Sequence, residues 1–229
     1  MVACQSKSAY ESARENLKEY NAILSEAENS SITELKPPDG FCFDMTESQF
    51  DETLAQRESQ LIDSLTKNNY KSGSAQYDWL LGTNHYAVGE IYSKDFQKDK
   101  LCSYKIEIKE RIVNDEFEPL DENDIDNICD FYKAFFEKDY TFASLTLPVF
   151  GQTNVFSKNN MAITITNVID SYKGTIEITY ENRPVTAPIE RERDAKYRAK
   201  HEESSSATIS TVEVKNNLYD EGLSKWRII

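Results

Sequence analysis

Between Leu101 and Ile112 the chain alternates with a period of two: Cys102, Tyr104, Ile106, Ile108 and Ile112 interleave with Ser103, Lys105, Glu107 and Lys109. On a strand this puts the apolar side chains on one face and the polar ones on the other, the pattern of a half-buried antiparallel sheet. An all-helical body is excluded, and something apolar must cover the buried face.

Two amphipathic segments supply that cover. In Gly40-Phe41-Cys42-Phe43-Asp44-Met45-Thr46-Glu47-Ser48-Gln49-Phe50 a strand is expected to run straight into a helix. Thr46 and Gln49 fit a capping box, and Met45 and Phe50 stand at the staple positions that fix the entry angle. Leu54, Leu61, Ile62 and Leu65 continue the stripe to about Thr66. Capping alone accounts for the junction, and the G-x-S-x-G spacing of a nucleophile elbow is absent. The second segment has Asp121 as N-cap, Leu120 and Ile125 as staple, and a stripe of Ile125, Ile128, Cys129, Tyr132, Phe135 and Phe136. A further helix is expected over Ser8 to Glu28, where Tyr10, Ala13, Leu17, Tyr20 and Leu24 recur at helical spacing behind a Ser8/Glu11 capping box.

More strands are expected over Tyr86 to Tyr92, Phe142 to Phe150, Met161 to Ile169 and Ile176 to Tyr180, with polar turns at Ser93 to Lys100 and Asp170 to Gly174. The fold class this predicts is α+β: two weakly repeated helix-plus-antiparallel-hairpin units, helices packed on an antiparallel sheet. From Arg183 the character changes. Pro184 and Pro188 bracket Thr186, read as the cap of a charged helix from Ala187 to Glu203, and Ala207 to Val214 reads as an edge strand. The expected organisation is an N-terminal tether and helix (1–38), a tandem body (39–184) and a charged helix with a C-terminal segment (185–229).

Composition narrows the chemistry. With 40 acidic against 26 basic residues the net charge is -14, a surface that repels phosphate backbones, so nucleic acid is not an expected partner. The basic residues Arg191, Arg193, Lys196, Arg198 and Lys200 alternate with acidic ones, as on a solvated helix laced by ion pairs. No apolar run is long enough to span a bilayer. Only His85 and His201 offer imidazole, without an HExxH or a zinc-spaced Cys/His set, and the Asp121-Asn123-Ile125 run lacks calcium-loop ligands. No metal, cofactor or catalytic residue is expected. Phosphate-binding glycine motifs are missing too. Cys42, Cys102 and Cys129 read as buried small hydrophobes rather than as partners of His85 in a thiolate-imidazole pair.

Val2-Ala3-Cys4, followed by Gln5-Ser6-Lys7-Ser8, resembles the end of a bacterial lipoprotein signal with Cys4 as the lipidated residue; the other reading is an unstructured start with an unrelated cysteine. The order of elements, opening with Phe43-Asp44-Met45-Thr46-Glu47-Ser48-Gln49-Phe50 and closing with Ile176-Glu177-Ile178-Thr179-Tyr180, resembles the exported lipoproteins common in Bacteroidetes. Its helix-on-sheet tandem is similar to β-lactamase-inhibitor-protein-like modules and to small lipoproteins of the outer-membrane assembly machinery. The resemblance covers Phe41 to Tyr180. Asp44 stands where Gly is frequent, and the charged tail lies outside the pattern. The resemblance implies a cell-envelope location and a binding or accessory role without catalytic residues.

Two functions are therefore expected. One is a non-enzymatic, lipid-anchored periplasmic or outer-membrane module for a protein or glycan ligand, with Trp79, Tyr86, Tyr92, Tyr104 and Trp226 as candidate contacts unless these rings pack beneath the helices or pin the chain's end. The alternative is a cytoplasmic acidic inhibitor or immunity-type protein that takes a basic partner by electrostatic steering.

Overall fold

The computed structural model describes residues 9–38, 40–56, 87–113, 116–147, 151–170 and 173–205. Contacts divide the chain into two units, Met1–Pro184 and Val185–Ile229. The first unit is α+β. Among the described residues its helices are α1 (Ala9–Glu28), α2 (described over 47–56) and α3 (Glu122–Phe136). Its strands are β1 (Ala87–Gln97), β2 (Lys100–Val113), β3 (Glu116–Pro119), β4 (Thr141–Leu147), β5 (Gly151–Lys158), β6 (Met161–Asp170) and β7 (Lys173–Asn182). All pairings in this seven-stranded sheet are antiparallel, in the order β1-β2-β7-β6-β5-β4. Strand β3 pairs with the end of β2 beyond the part that meets β7.

Period-two alternation places the core. Tyr104, Ile106 and Ile108 of β2 stand with Ile176, Ile178 and Tyr180 of β7, Ile163 and Ile165 of β6 and Phe156 of β5, in one buried cluster with Phe50 of α2 and Ile125, Cys129, Tyr132 and Phe136 of α3. At the β2/β7 seam Tyr104 lies directly opposite Tyr180. Their rings stack with centroids 4.8 Å apart, and Phe41 closes over Tyr104 at 5.4 Å. The opposite-facing residues Ala143, Leu145, Val155 and Ala162 are also buried. Helix α1 lies against β4, β5 and β6 and buries Tyr20, Ile23, Leu24 and Ala27. Each larger apolar side chain so covered contributes about 1.5–3 kcal/mol.

Both capping expectations hold in detail. Thr46 N donates to Gln49 Oε1 at 2.9 Å and Gln49 N to Thr46 Oγ1 at 3.4 Å. Asp121 and Asp124 exchange the same pair of bonds at 2.9 Å each.

Several details differ from the sequence reading. Residues 41–46 form no strand. Phe41 and Phe43 bury as a plug whose backbone finds separate partners: Phe43 N donates to Leu35 O, and Met45 O accepts from Leu101 N, both at 2.8 Å. Ser93 to Gln97 belongs to β1, because a polar stretch on an edge strand can face solvent while its backbone pairs. The turn is reduced to Lys98 and Asp99, both at positive φ (52° and 58°). Strand β5 is not among the expected strands, so four strands rather than three follow α3.

The described residues of the second unit belong to α4 (Arg183–Ser205), which begins in the last residues of the first. Thr186 is therefore inside the helix and not its cap. Pro184 occupies the first turn, where its missing N–H costs nothing. The expected strand over Ala207 to Val214 and the helical stripe at Leu61, Ile62 and Leu65 lie outside the described residues.

Candidate functional site

The face of the sheet under α1 is uncharged over β4 to β6, where Ala143, Leu145, Val155 and Ala162 stand with Thr153 and Thr166. Where the same face continues onto β2 and β7 it becomes charged. Ser103, Lys105 and Glu107 of β2 stand opposite Glu181, Thr179 and Glu177 of β7, respectively. Glu107 and Glu177 are thus directly opposed carboxylates, a juxtaposition that costs about 0.2–1 kcal/mol when uncompensated.

Lysines compensate both. Glu177 Oε1 accepts from Lys105 Nζ at 2.9 Å and from Thr179 Oγ1 at 3.3 Å. Lys109 pairs with Glu107. At the ends of this row Ser103 Oγ donates to Asp95 Oδ2 at 2.9 Å, and Arg183 Nη1 to Glu181 Oε2 at 3.2 Å. The two glutamates are largely but not fully covered, with side chains 21% (Glu107) and 18% (Glu177) exposed. Such a row can exchange internal ion pairs for those of a charged partner, because a carboxylate accepts charge-assisted bonds from whichever cation approaches it.

Alternation placed Lys105, Glu107 and Lys109 together on a polar face. The opposition of Glu107 to Glu177 was missed, because no local pattern identifies a partner strand that returns from the far end of the body.

Among the residues expected to form contacts, Tyr104 is fully buried in the aromatic core and has no surface to offer a ligand. Its place in the alternation of β2, on the helix-covered side, carried that outcome. Trp79, Tyr86, Trp226 and Cys4 lie outside the described residues, as does the side chain of Tyr92.

The thiols are held in their neutral form. Burial, with Asp95 nearby, pushes Cys102 up to about 11, and burial, with Asp126 and Asp130 nearby, pushes Cys129 up to about 12. Cys102 Sγ donates to Asp95 O at 3.3 Å. Neither environment activates a thiolate nucleophile. His85 lies outside the described residues. Among the described residues no group of three or more His, Cys, Asp or Glu is placed to hold a metal ion, and no helix is long and apolar enough to cross a membrane.

Comparison with protein-family models, curated protein sequences and solved structures finds no match to this chain.

Proposed function

We propose that the protein is a non-enzymatic cell-envelope lipoprotein, anchored through Cys4, whose body of two helix-plus-strand units is a binding or accessory module for a protein or glycan ligand. The carrying observation is the division of one sheet face: α1 closes the β4 to β6 side, while paired Lys105, Glu107, Lys109 and Glu177 line the β2/β7 side. A face needed only for stability is served at least as well by apolar residues, since half-buried ion pairs add little net stability. The neutral thiols of Cys102 and Cys129 favour a binding role over nucleophilic catalysis. Val2-Ala3-Cys4 and its polar continuation support the anchor.

The net charge of -14 favours a second reading, an acidic cytoplasmic inhibitor of a basic protein. Intact mass from membrane and soluble fractions of the native host separates the two. A diacyl or triacyl increment on a chain beginning at Cys4 supports the lipoprotein. An unmodified chain retaining Val2, found only in the soluble fraction, overturns it in favour of the inhibitor.

A further inference from the structure

Helix α3 turns two chemistries to solvent. Its inward stripe, Ile125, Cys129, Tyr132 and Phe136, is buried in the core. On the outward arc Glu122, Asp126 and Asp130 follow one another at the i, i+4 spacing, and all three are exposed. Like charges at that spacing repel along a helix. The macrodipole favours Glu122 in the first turn, but its influence does not reach Asp126 and Asp130.

Ion pairs do not relieve this stripe. Glu47, Asp51, Glu107, Glu177 and Glu181 each meet a lysine or an arginine. Among the described residues no ion pair joins Glu122, Asp126 or Asp130. Lys133, the one cation of α3, is turned to Glu137 at 3.8 Å and to the Phe142 ring at 5.0 Å. At the other margin of the arc stands Phe131, 36% exposed. Its ring is held in place: it stacks on Phe135 with centroids 6.5 Å apart and meets Tyr132 edge-on at 5.7 Å. A fixed aromatic side chain loses little freedom on binding, the property of an interface anchor. Solubility accounts for exposed acids, but not for a ring held beside them.

We propose that this arc of α3 docks a basic helix of another protein, whose arginines, one turn apart, pair with Asp126 and Asp130 and lay a guanidinium plane on the Phe131 ring. Charge complementarity selects that occupant. Unpaired carboxylates on a chain of -14 attract cations and repel phosphate backbones and anionic lipid. A second copy of this chain, itself at -14, is disfavoured by the same charge. Arginine is favoured over lysine because its plane both pairs with a carboxylate and stacks on a ring. Helix α3 covers the core side of the sheet, whereas the charged row of β2 and β7 lies on the other side. The assignment of α3 therefore stands or falls independently of that row and of the anchor.

The test is a chemical-shift titration of the isotope-labelled full chain with a synthetic alanine-based helical peptide carrying arginine at i, i+4 and i+8. Saturable shifts centred on residues 122–135 are expected, with affinity falling by about tenfold between about 20 and about 200 mM salt. Asp126→Asn/Asp130→Asn should weaken binding by about tenfold, and Phe131→Ser by a similar factor. If Phe131→Ser fails to fold, Phe131→Leu keeps apolar bulk against Tyr132 and Phe135 and should still lose affinity for arginine. Glu19→Gln/Glu26→Gln, at exposed positions of α1, changes the net charge equally and should leave binding unchanged. Shifts spread over other acidic surfaces, equal losses in the α1 variant, or an affinity indifferent to Phe131 reduce the effect to general charge and overturn the proposal. Shifts confined to β2 and β7 overturn it in favour of the charged row, and the absence of saturable binding at any salt overturns it outright.

Discussion

Gly174 is where a single atom decides the fit between sheet and helix. A Cβ at this position would stand 1.5 Å from Ile125 Cδ1 and 2.7 Å from its Cγ1, and Ile125 is itself a fully buried anchor of α3. Gly174→Ala should lower stability by about 1–3 kcal/mol, the usual cost of overpacking. Ile125→Val removes Cδ1 and leaves only the 2.7 Å contact of Cγ1, so in the Gly174→Ala background it should recover part of the loss, whereas alone it costs about 0.5–1.5 kcal/mol. A urea-denaturation cycle over the four proteins reads the coupling, and additive losses would refute it. The buried thiols make a second prediction at this scale. Their ordinary value is 9.0, and burial raises Cys102 to about 11 and Cys129 to about 12. Between pH 9 and pH 11 the native state keeps protons that the unfolded chain releases, so these groups make stability fall as pH rises through that window. The fall should be reduced in Cys102→Ala/Cys129→Ala, compared as slopes of unfolding free energy against pH. In the native wild type, half-exposed Cys42 should react with a thiol reagent well before either buried cysteine.

At the scale of elements, legibility followed the range of the interactions involved. The helix starts at Thr46 and Asp121 were readable because a cap and its reciprocal partner lie three residues apart. The stripe of α3 and the alternation of β2 are likewise local patterns that tertiary contact then confirms. Strand β5 escaped because Gly-Gln-Thr-Asn-Val-Phe-Ser-Lys is mostly polar. Thr153 and Asn154 are nevertheless buried, with the Thr153 and Thr166 hydroxyls 3.3 Å apart. Of the candidate site, the composition of the polar face was legible and its pairing was not. The β1/β2 turn shows the same limit: Lys98 and Asp99 announce a polar loop but not the positive φ that both adopt. Left-handed backbone costs an ordinary residue about 1–2 kcal/mol, whereas Asn-Gly suits this two-residue turn. Lys98→Asn/Asp99→Gly should therefore raise stability by about 1 kcal/mol, seen as a higher Tm. An unchanged or lower Tm would mean that other contacts of Lys98 or Asp99 outweigh the backbone term.

For the body as a whole, the β2/β7 seam holds together segments that are far apart in sequence. Strands β1 and β2 reach the β4 to β7 meander through the register from Ser103/Glu181 to Ile108/Ile176. The core does not divide at that seam, since Phe41, Phe50, Tyr104 and Tyr180 belong to the same cluster as Phe136, Phe156 and Ile163. A continuous core makes β2, β6 and β7 one cooperative unit, whereas the bulged edge β1 can open by itself. Tyr104→Ala removes a ring at the centre of the seam and should cost about 3–5 kcal/mol, a large share of the 5–15 kcal/mol that holds a typical domain. Native-state hydrogen exchange reads where that loss falls. In the wild type, β1 amides should exchange by local opening, and those of β2, β6 and β7 only by global unfolding. In Tyr104→Ala, protection of β2, β6 and β7 should drop by one common amount while β1 changes little. A drop confined to β2 would show that the hairpin and the meander are separate cooperative units joined edge to edge, and would overturn the single-core account of the fold.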